Sequence, residues 1–242
     1  MKAPPDPAAL ATRIRALAWA TLEDALATEG HATTGALLTP AECRSLAAGY
    51  AHRAQFRSRV VMARHGFGSG EYQYYAYPLP ADVAAMRAAF YPPLAVIANR
   101  WAAALGATMR YPDAHAEFLA RCHAAGQQRP TALLLEYGPG DYNCLHQDVY
   151  GETLFPLQVA ILLSRPGEDF TGGEFVLTEQ RPRKQSRVAV VPLVQGEAVI
   201  FPVRLRPAQG VTRLQRFNMR HGVSRVRDGR RHVLGLIFHD AT

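Results

Sequence analysis

From Leu133 to the C-terminus, short apolar runs alternate with turn residues at a spacing that predicts strands. Leu133–Tyr137 is followed by Gly138-Pro139-Gly140 and by a second run ending at His146. Further runs cover Leu157–Leu163, Gly172–Thr178, Val188–Val191, Gly196–Phe201, Asn218–Val223 and Arg231–Phe238. Eight such runs separated by turns predict a double-sheet jelly roll, a fold whose mouth suits a metal site. Upstream the period changes. Ala8–Glu29 carries apolar residues at helical spacing, with Gly30 as its C-terminal cap. Thr39-Pro40-Ala41-Glu42 is a capping box with proline at the first helical position. Val60–Met62 reads as a strand and His65–Gly70 as a flexible glycine-rich stretch. Helices are expected over Ala81–Phe90, Leu94–Leu105 and Asp113–Ala124. The fold class is thus α+β to mainly β. Residues 1–130 are expected to form a helical support region, not an independent domain, packed on one sheet of a 131–242 core.

The candidate chemistry lies on the second strand. Period-two alternation places Cys144, His146 and Asp148 on one face, inward. Two imidazoles and one carboxylate can occupy one face of an Fe(II) octahedron and leave three positions open. The third ligand can come from anywhere the fold returns it; His221 is favoured over His232 and His239. His232 should point to the opposite face from its neighbour Arg231, and His239 lies at a strand end. Arg231 supplies a forked cation suited to a carboxylate, with Arg230, Arg225 and Arg220 as competitors. Asp228-Gly229 marks a hairpin within Arg225–Arg230, where a solvated basic turn is the plainer expectation. Gln158 is an inward polar residue on an otherwise apolar strand, open between a site role and a structural hydrogen bond.

Taken in order, Tyr137-Gly-Pro-Gly-Asp-Tyr142, His146-Gln147-Asp148, Thr171-Gly-Gly-Glu-Phe175, Gln195-Gly-Glu-Ala-Val-Ile-Phe201, Arg220-His221-Gly-Val223 and Arg231 resemble the Fe(II)- and 2-oxoglutarate-dependent oxygenases. The likeness is to the prolyl-hydroxylase-like branch, and the Thr39–Leu46 helix resembles the one that opens it. The resemblance implies a double-stranded β-helix (jelly-roll) core and Fe(II) held by His146, Asp148 and His221. It implies 2-oxoglutarate chelated at the metal, with its distal carboxylate on Arg231 and Tyr137 hydrogen-bonding the co-substrate. O2 is the oxidant and ascorbate an optional reductant. The implied reaction couples decarboxylation of 2-oxoglutarate to succinate with hydroxylation of a C–H bond on a protein side chain, prolyl or similar, or a small molecule. Oxidative demethylation of nucleic acid, as in AlkB-like relatives, is the alternative. Against it, Leu236–Asp240 lacks the second arginine of that pattern. A non-catalytic metal- or ligand-binding module is the third reading, disfavoured because binding alone needs no open coordination positions.

Composition narrows this little. A chain of 242 residues that is 48% hydrophobic can bury one sizeable core. No apolar run reaches the ~18 residues that span a bilayer. The Met1–Pro7 segment lacks a secretory design, so no membrane partner and a cytoplasmic location are expected. Cys43, Cys122 and Cys144 form no Cys-x-x-Cys pair, which leaves out a zinc knuckle or a disulfide framework. Gly172-Gly173-Glu174-Phe175 resembles the signature of cyclic-dinucleotide synthases but lacks its extra acidic residue; the glycines more plainly permit close backbone approach. The formal charge of +7 and pI near 9.6 point weakly to an acidic partner. The basic stretches Arg181–Arg187 and Arg204–Arg216 are read equally as rim or as solvated surface. Tyr72–Tyr77 beside His65-Gly66-Phe67 is expected either to close over a substrate, with tyrosines suited to stacking on bases, or to pack a hairpin.

Overall fold

The computed structural model describes residues 5–181, 184–209 and 214–242. Pro182 and Arg183 of the first basic stretch, 210–213 of the second and Met1–Pro4 lie outside the described residues. Asp6 accepts from the Ala8 amide and Pro7 takes the first turn of α1 (Pro7–Arg15), where a missing N–H costs nothing. A second helix, α2 (Trp19–Thr28), follows. The one helix expected over Ala8–Glu29 is therefore two. Trp19 Nε1 reaches back to the Ile14 carbonyl at 3.1 Å, and the break lets Leu10, Ile14, Leu22 and Leu26 all reach one core. Gly30 stands one residue beyond the α2 cap at φ 81, the left-handed cap expected of it. After β1 (Ala32–Ala36) comes α3 (Pro40–Ala48), whose capping box forms with Thr39 N to Glu42 Oε2 at 2.8 Å.

The strands β2 (Phe56–Val61), β3 (Gly68–Ser69) and β4 (Glu71–Tyr75) precede α4 (Ala81–Ala104) and α5 (His115–Ala124). The 1–130 region, expected to be mostly helical with one strand at Val60–Met62, contributes four strands, of which β2 overlaps the expected one. Two helices expected on either side of Pro92 and Pro93 are one, α4, with both prolines inside it. An internal proline costs about 3 kcal/mol or more. Phe90, Tyr91 and Leu94 beside it are fully buried, each worth about 1.5–3 kcal/mol, so packing holds the helix through the break.

The remaining strands are β5 (Leu133–Tyr137), β6 (Tyr142–His146), β7 (Leu157–Leu162), β8 (Phe170–Gly172), β9 (Phe175–Gln180) and β10 (Arg187–Val191). They are followed by β11 (Glu197–Pro202), β12 (Leu205–Gln209), β13 (Leu214–Val223), β14 (Val226–Gly229) and β15 (Arg231–Ile237). Every pairing between named strands is antiparallel. A seven-stranded sheet runs β1-β11-β7-β15-β5-β4-β2, and a smaller one runs β10-β9-β13-β6-β3 with β12 on β13. Two expected loops are strands. The second basic stretch contains β12, and the Arg225–Arg230 turn contains β14, paired with β8.

The large sheet is covered on both faces. Leu157, Val159 and Ile161 of β7, with Leu234 and Leu236 of β15, pack against the helices. Ala160, Leu162, Val199, Phe201 and Val233 face Phe175, Leu177, Val191 and Val223 of the small sheet. That is why β7 and β11 are buried at every position. Among the described residues no helix is long and apolar enough to cross a membrane.

Candidate active site

The site lies between the sheets, in a cavity of about 200 Å³. His146 on β6 and His221 on β13 are direct cross-strand partners, so the register alone brings two imidazoles together with ring centroids 4.1 Å apart. Asp148 follows the end of β6. Its Oδ2 lies 3.3 Å from His221 Nε2 and its Oδ1 3.6 Å from His146 Nε2. Ligand atoms of the three residues all fall within 4.8 Å of one another. His221 and Asp148 are buried, and His146 is partly open to the mouth.

The expectation that Cys144 shares this face is corrected. Four residues of β6, Asn143 to His146, oppose three of β13, Val223 to His221. This bulge reverses the alternation. Asn143 and His146 therefore line the cavity, while Cys144 is exposed. Gly222 permits the bulge, because a Cβ there would meet the Asn143 carbonyl oxygen at 2.7 Å. Asp148 is placed by the chain after β6 and not by strand alternation. Gln147 Nε2 ties that chain to β13 through the Met219 carbonyl at 2.7 Å and Asn218 Oδ1 at 2.8 Å.

Burial opposes the charge on Asp148, but hydrogen bonding with His221 and the fields of both imidazoles hold its carboxyl below the usual carboxylate range. Burial and the neighbouring His146 charge lower His221. Both shifts leave the residues in the forms a cation needs: an ionised carboxylate and a neutral imidazole. Among the described residues no lysine or arginine pairs with Asp148, so the donor set fits a divalent ion.

Arg231 lies in the same cavity, 2% exposed, and its Nε and Nη1 have no partner. Burial lowers it to about 10, still cationic at neutral pH. Its neighbours are the faces of Tyr137 and Phe170, 5.6 and 5.8 Å away, and Tyr137 is its cross-strand partner. Gly173, at φ 62, makes room for it; a Cβ there would meet Arg231 Cδ at 2.9 Å. The Gly172-Gly173 pair thus permits close approach, as the sequence predicted. A buried guanidinium without a counter-ion fits an anionic group of a small molecule. Tyr137 is fully buried, accepts from Asn143 Nδ2 at 3.3 Å, and is pushed well up by burial.

The competing residues lie elsewhere. His232 points to the opposite face and meets Glu136 at 2.9 Å; Arg230 is 72% exposed and also pairs with Glu136. Arg225 donates to the Gly140 carbonyl, and Arg220 is exposed on the small sheet. His239 is buried outside the cavity, and burial lowers it to about 4. Arg181, Arg187 and Arg206 of the basic stretches converge on Glu179, whose single carboxylate offsets one of their three charges.

Sequence reasoning missed Tyr150. Its hydroxyl donates to Asp148 Oδ1 at 2.7 Å and accepts from Tyr74 at 2.9 Å. The signal was its position two residues beyond Asp148. Within the tyrosine cluster, Tyr72 and Tyr74 line the cavity while Tyr75 turns into the helix-side core. Phe67, 49% exposed and stacked on His65, stands at the mouth.

Comparison with known proteins agrees with this architecture. Two proteins of Mycobacterium tuberculosis, each described as uncharacterized, are 51% identical over 164 residues, covering 68% of this chain and 70% of theirs. Among solved structures, a Trichoplax adhaerens prolyl hydroxylase in complex with a hypoxia inducible factor peptide superposes with a TM-score of 0.57. It is 14% identical, over 98% of this chain and 94% of that one. A Burkholderia pseudomallei oxidoreductase of the 2OG-Fe(II) oxygenase family gives 0.53, at 16% identity over 93% and 92%. Likeness at these identities speaks to the fold. A family model described as "oxygenase, catalysing oxidative methylation of damaged DNA" matches residues 70–241, and the chain belongs to that oxygenase family.

Proposed function

We propose that the protein is an Fe(II)- and 2-oxoglutarate-dependent oxygenase with a jelly-roll core. The observation that carries this reading is the partnerless buried guanidinium of Arg231 in the same cavity as the His146, Asp148 and His221 triad. His146, Asp148 and His221 would hold the metal. Arg231 would bind the distal carboxylate of 2-oxoglutarate, and Tyr137 would lie alongside the co-substrate. Bound Fe(II) with 2-oxoglutarate and O2 supplies oxidation of a C–H bond, coupled to release of succinate and carbon dioxide. The chain's part is to orient and to exclude water. Tyr150 fixes one carboxylate oxygen of Asp148, the apolar walls from Phe175, Phe201 and Val233 keep the cavity dry, and Gly173 leaves room for the Arg231 side chain.

The anaerobic protein with Fe(II) is expected to gain a visible charge-transfer band when 2-oxoglutarate is added. Iron-dependent succinate formation should vanish in His146→Ala and Asp148→Ala; a band or turnover surviving both substitutions would remove the triad from the mechanism.

The target is a C–H bond on a protein side chain or small molecule, the reading favoured by the lack of a second arginine after Leu236. The family's description supports a second reading, oxidative demethylation of nucleic acid. Succinate release with methylated oligonucleotides, beside peptide and metabolite pools, separates the two. A one-oxygen mass gain that depends on His146 identifies the first class, and loss of a methyl group from an oligonucleotide identifies the second.

A further inference from the structure

Three side chains lining the cavity hold a buried nitrogen without a partner: His221, Arg231 and Gln158. The proposed function uses Arg231; on His221 the unpartnered atom is Nδ1, while Nε2 is the one that faces Asp148. Gln158 is 2% exposed, and its Nε2 has no acceptor within the protein. A buried amide left unpaired destabilises the fold, and this one lines the cavity of the triad, where a ligand can bring the acceptor.

Its place separates it from the co-substrate. On the large sheet Gln158 stands between Phe201 of β11 and Ile237 of β15. The Phe201 ring is 4.7 Å from that of His221, so this is the metal end of the cavity. Arg231 begins β15, six residues from Ile237, roughly 20 Å along the strand. A five-carbon diacid is shorter than that, and anchored on Arg231 it would lie between Arg231 and the metal. Gln158 lies beyond it, on the side of Tyr74, Ile237 and Tyr150. The Tyr74 and Tyr150 hydroxyl protons are committed to each other and to Asp148. The Gln158 amide is free.

Resting on the proposed function, we infer that Gln158 reads the primary target, donating from Nε2 to a carbonyl oxygen or ring nitrogen beside the C–H bond to be oxidised. The target class is therefore one with a hydrogen-bond acceptor next to its reactive carbon, held against the tyrosine wall. A site built to donate such a bond discriminates against analogues that lack the acceptor.

The test compares wild type with Gln158→Met, and with Gln158→Leu as a second apolar variant, in three measurements. Melting temperature should hold or rise by about 2–4 °C, since an unpaired buried donor is removed; a fall in both variants assigns the amide to the architecture and overturns the inference. The dissociation constant of 2-oxoglutarate in the anaerobic Fe(II) protein should stay within about twofold, well under the tenfold that a lost hydrogen bond of about 1.4 kcal/mol would give. A tenfold rise gives the amide to the co-substrate and overturns it too. Cyclopentanone and its acceptor-free isostere methylenecyclopentane are then titrated into the Fe(II)–2-oxoglutarate complex, read by the shift of the charge-transfer band. Wild type should prefer the ketone by about tenfold, the value of one hydrogen bond, and the variants should lose that preference or favour the acceptor-free isostere, because a carbonyl buried without a donor is penalised. Equal binding to wild type, or a preference that survives in the variants, overturns the inference. Absence of the band in iron-loaded wild type is the separate failure of the proposed function, and this inference falls with it.

Discussion

The two faces of the large sheet each bury an arginine, and the two are treated in opposite ways. On the helix face Arg87, 1% exposed, donates to the Ile237 carbonyl and to Asp240 Oδ1, both at 2.8 Å, and to the Tyr77 hydroxyl at 3.2 Å. Asp240 is further tied to Tyr77 and His123. On the inner face Arg231 is as deeply buried and leaves Nε and Nη1 without partners. One charge completes an architecture; the other is left without a partner in the protein. Burial alone does not mark a functional residue; Arg231 stands out because its unmet hydrogen-bonding capacity lies in the cavity that holds the triad.

The largest effect expected is at Arg87. Arg87→Ala strands Asp240 in the core and should cost about 3–5 kcal/mol, the scale for breaking one side of a buried pair. Urea unfolding measures it, and a loss under about 1 kcal/mol would erase the contrast between the faces. Arg231→Met should do the reverse: stability holds or rises, while 2-oxoglutarate affinity falls about 30-fold or more, matching the 2–5 kcal/mol for a truncated buried charge pair. An unchanged co-substrate affinity would reassign the clamp.

A third effect is pH dependence from the helix face. His115, buried with Nε2 2.8 Å from the Phe238 carbonyl, is lowered by desolvation to about 3. Between that value and the ordinary 6.5 of the unfolded chain, the unfolded state binds the extra proton. Stability is then fully present above about pH 6.5 and declines as pH falls toward 3, by up to about 1.4 kcal/mol per pH unit. His115→Gln should flatten that decline in urea titrations at several pH values; a slope that does not change would place the acid sensitivity elsewhere. The smallest effect belongs to Arg230→Ala. Its exposed pair with Glu136 is worth about 0–1 kcal/mol, and 2-oxoglutarate binding should match wild type.

Much of the site was legible because its chemistry is carried by rare residue types in order. His146, Asp148, His221 and Arg231 stand in one cavity, and the exclusion of His232 followed from alternation along β15. Where alternation was applied to β6 it failed. Cys144 points outward because of a bulge that no propensity of Tyr142–His146 announces and only the pairing with β13 creates. The continuous α4 escaped for a similar reason. Pro92 and Pro93 forbid a helix locally, and the burial of Phe90, Tyr91 and Leu94 overrides them. β12 and β14 were hidden because short strands that carry Pro207 or Asp228-Gly229 within basic stretches look like solvated loops until their partners are known.

The amino-acid sequence by itself determined which donors exist, the period of most core strands and the capping of α3, since these depend on residue type and near neighbours. Only the tertiary structure decided that Tyr150 holds Asp148, that Glu179 gathers the basic stretches, and that Arg231 and Gln158 are left without partners while Arg87 is not. Whether a buried polar group is satisfied depends on atoms far away in the chain, and that is settled by packing.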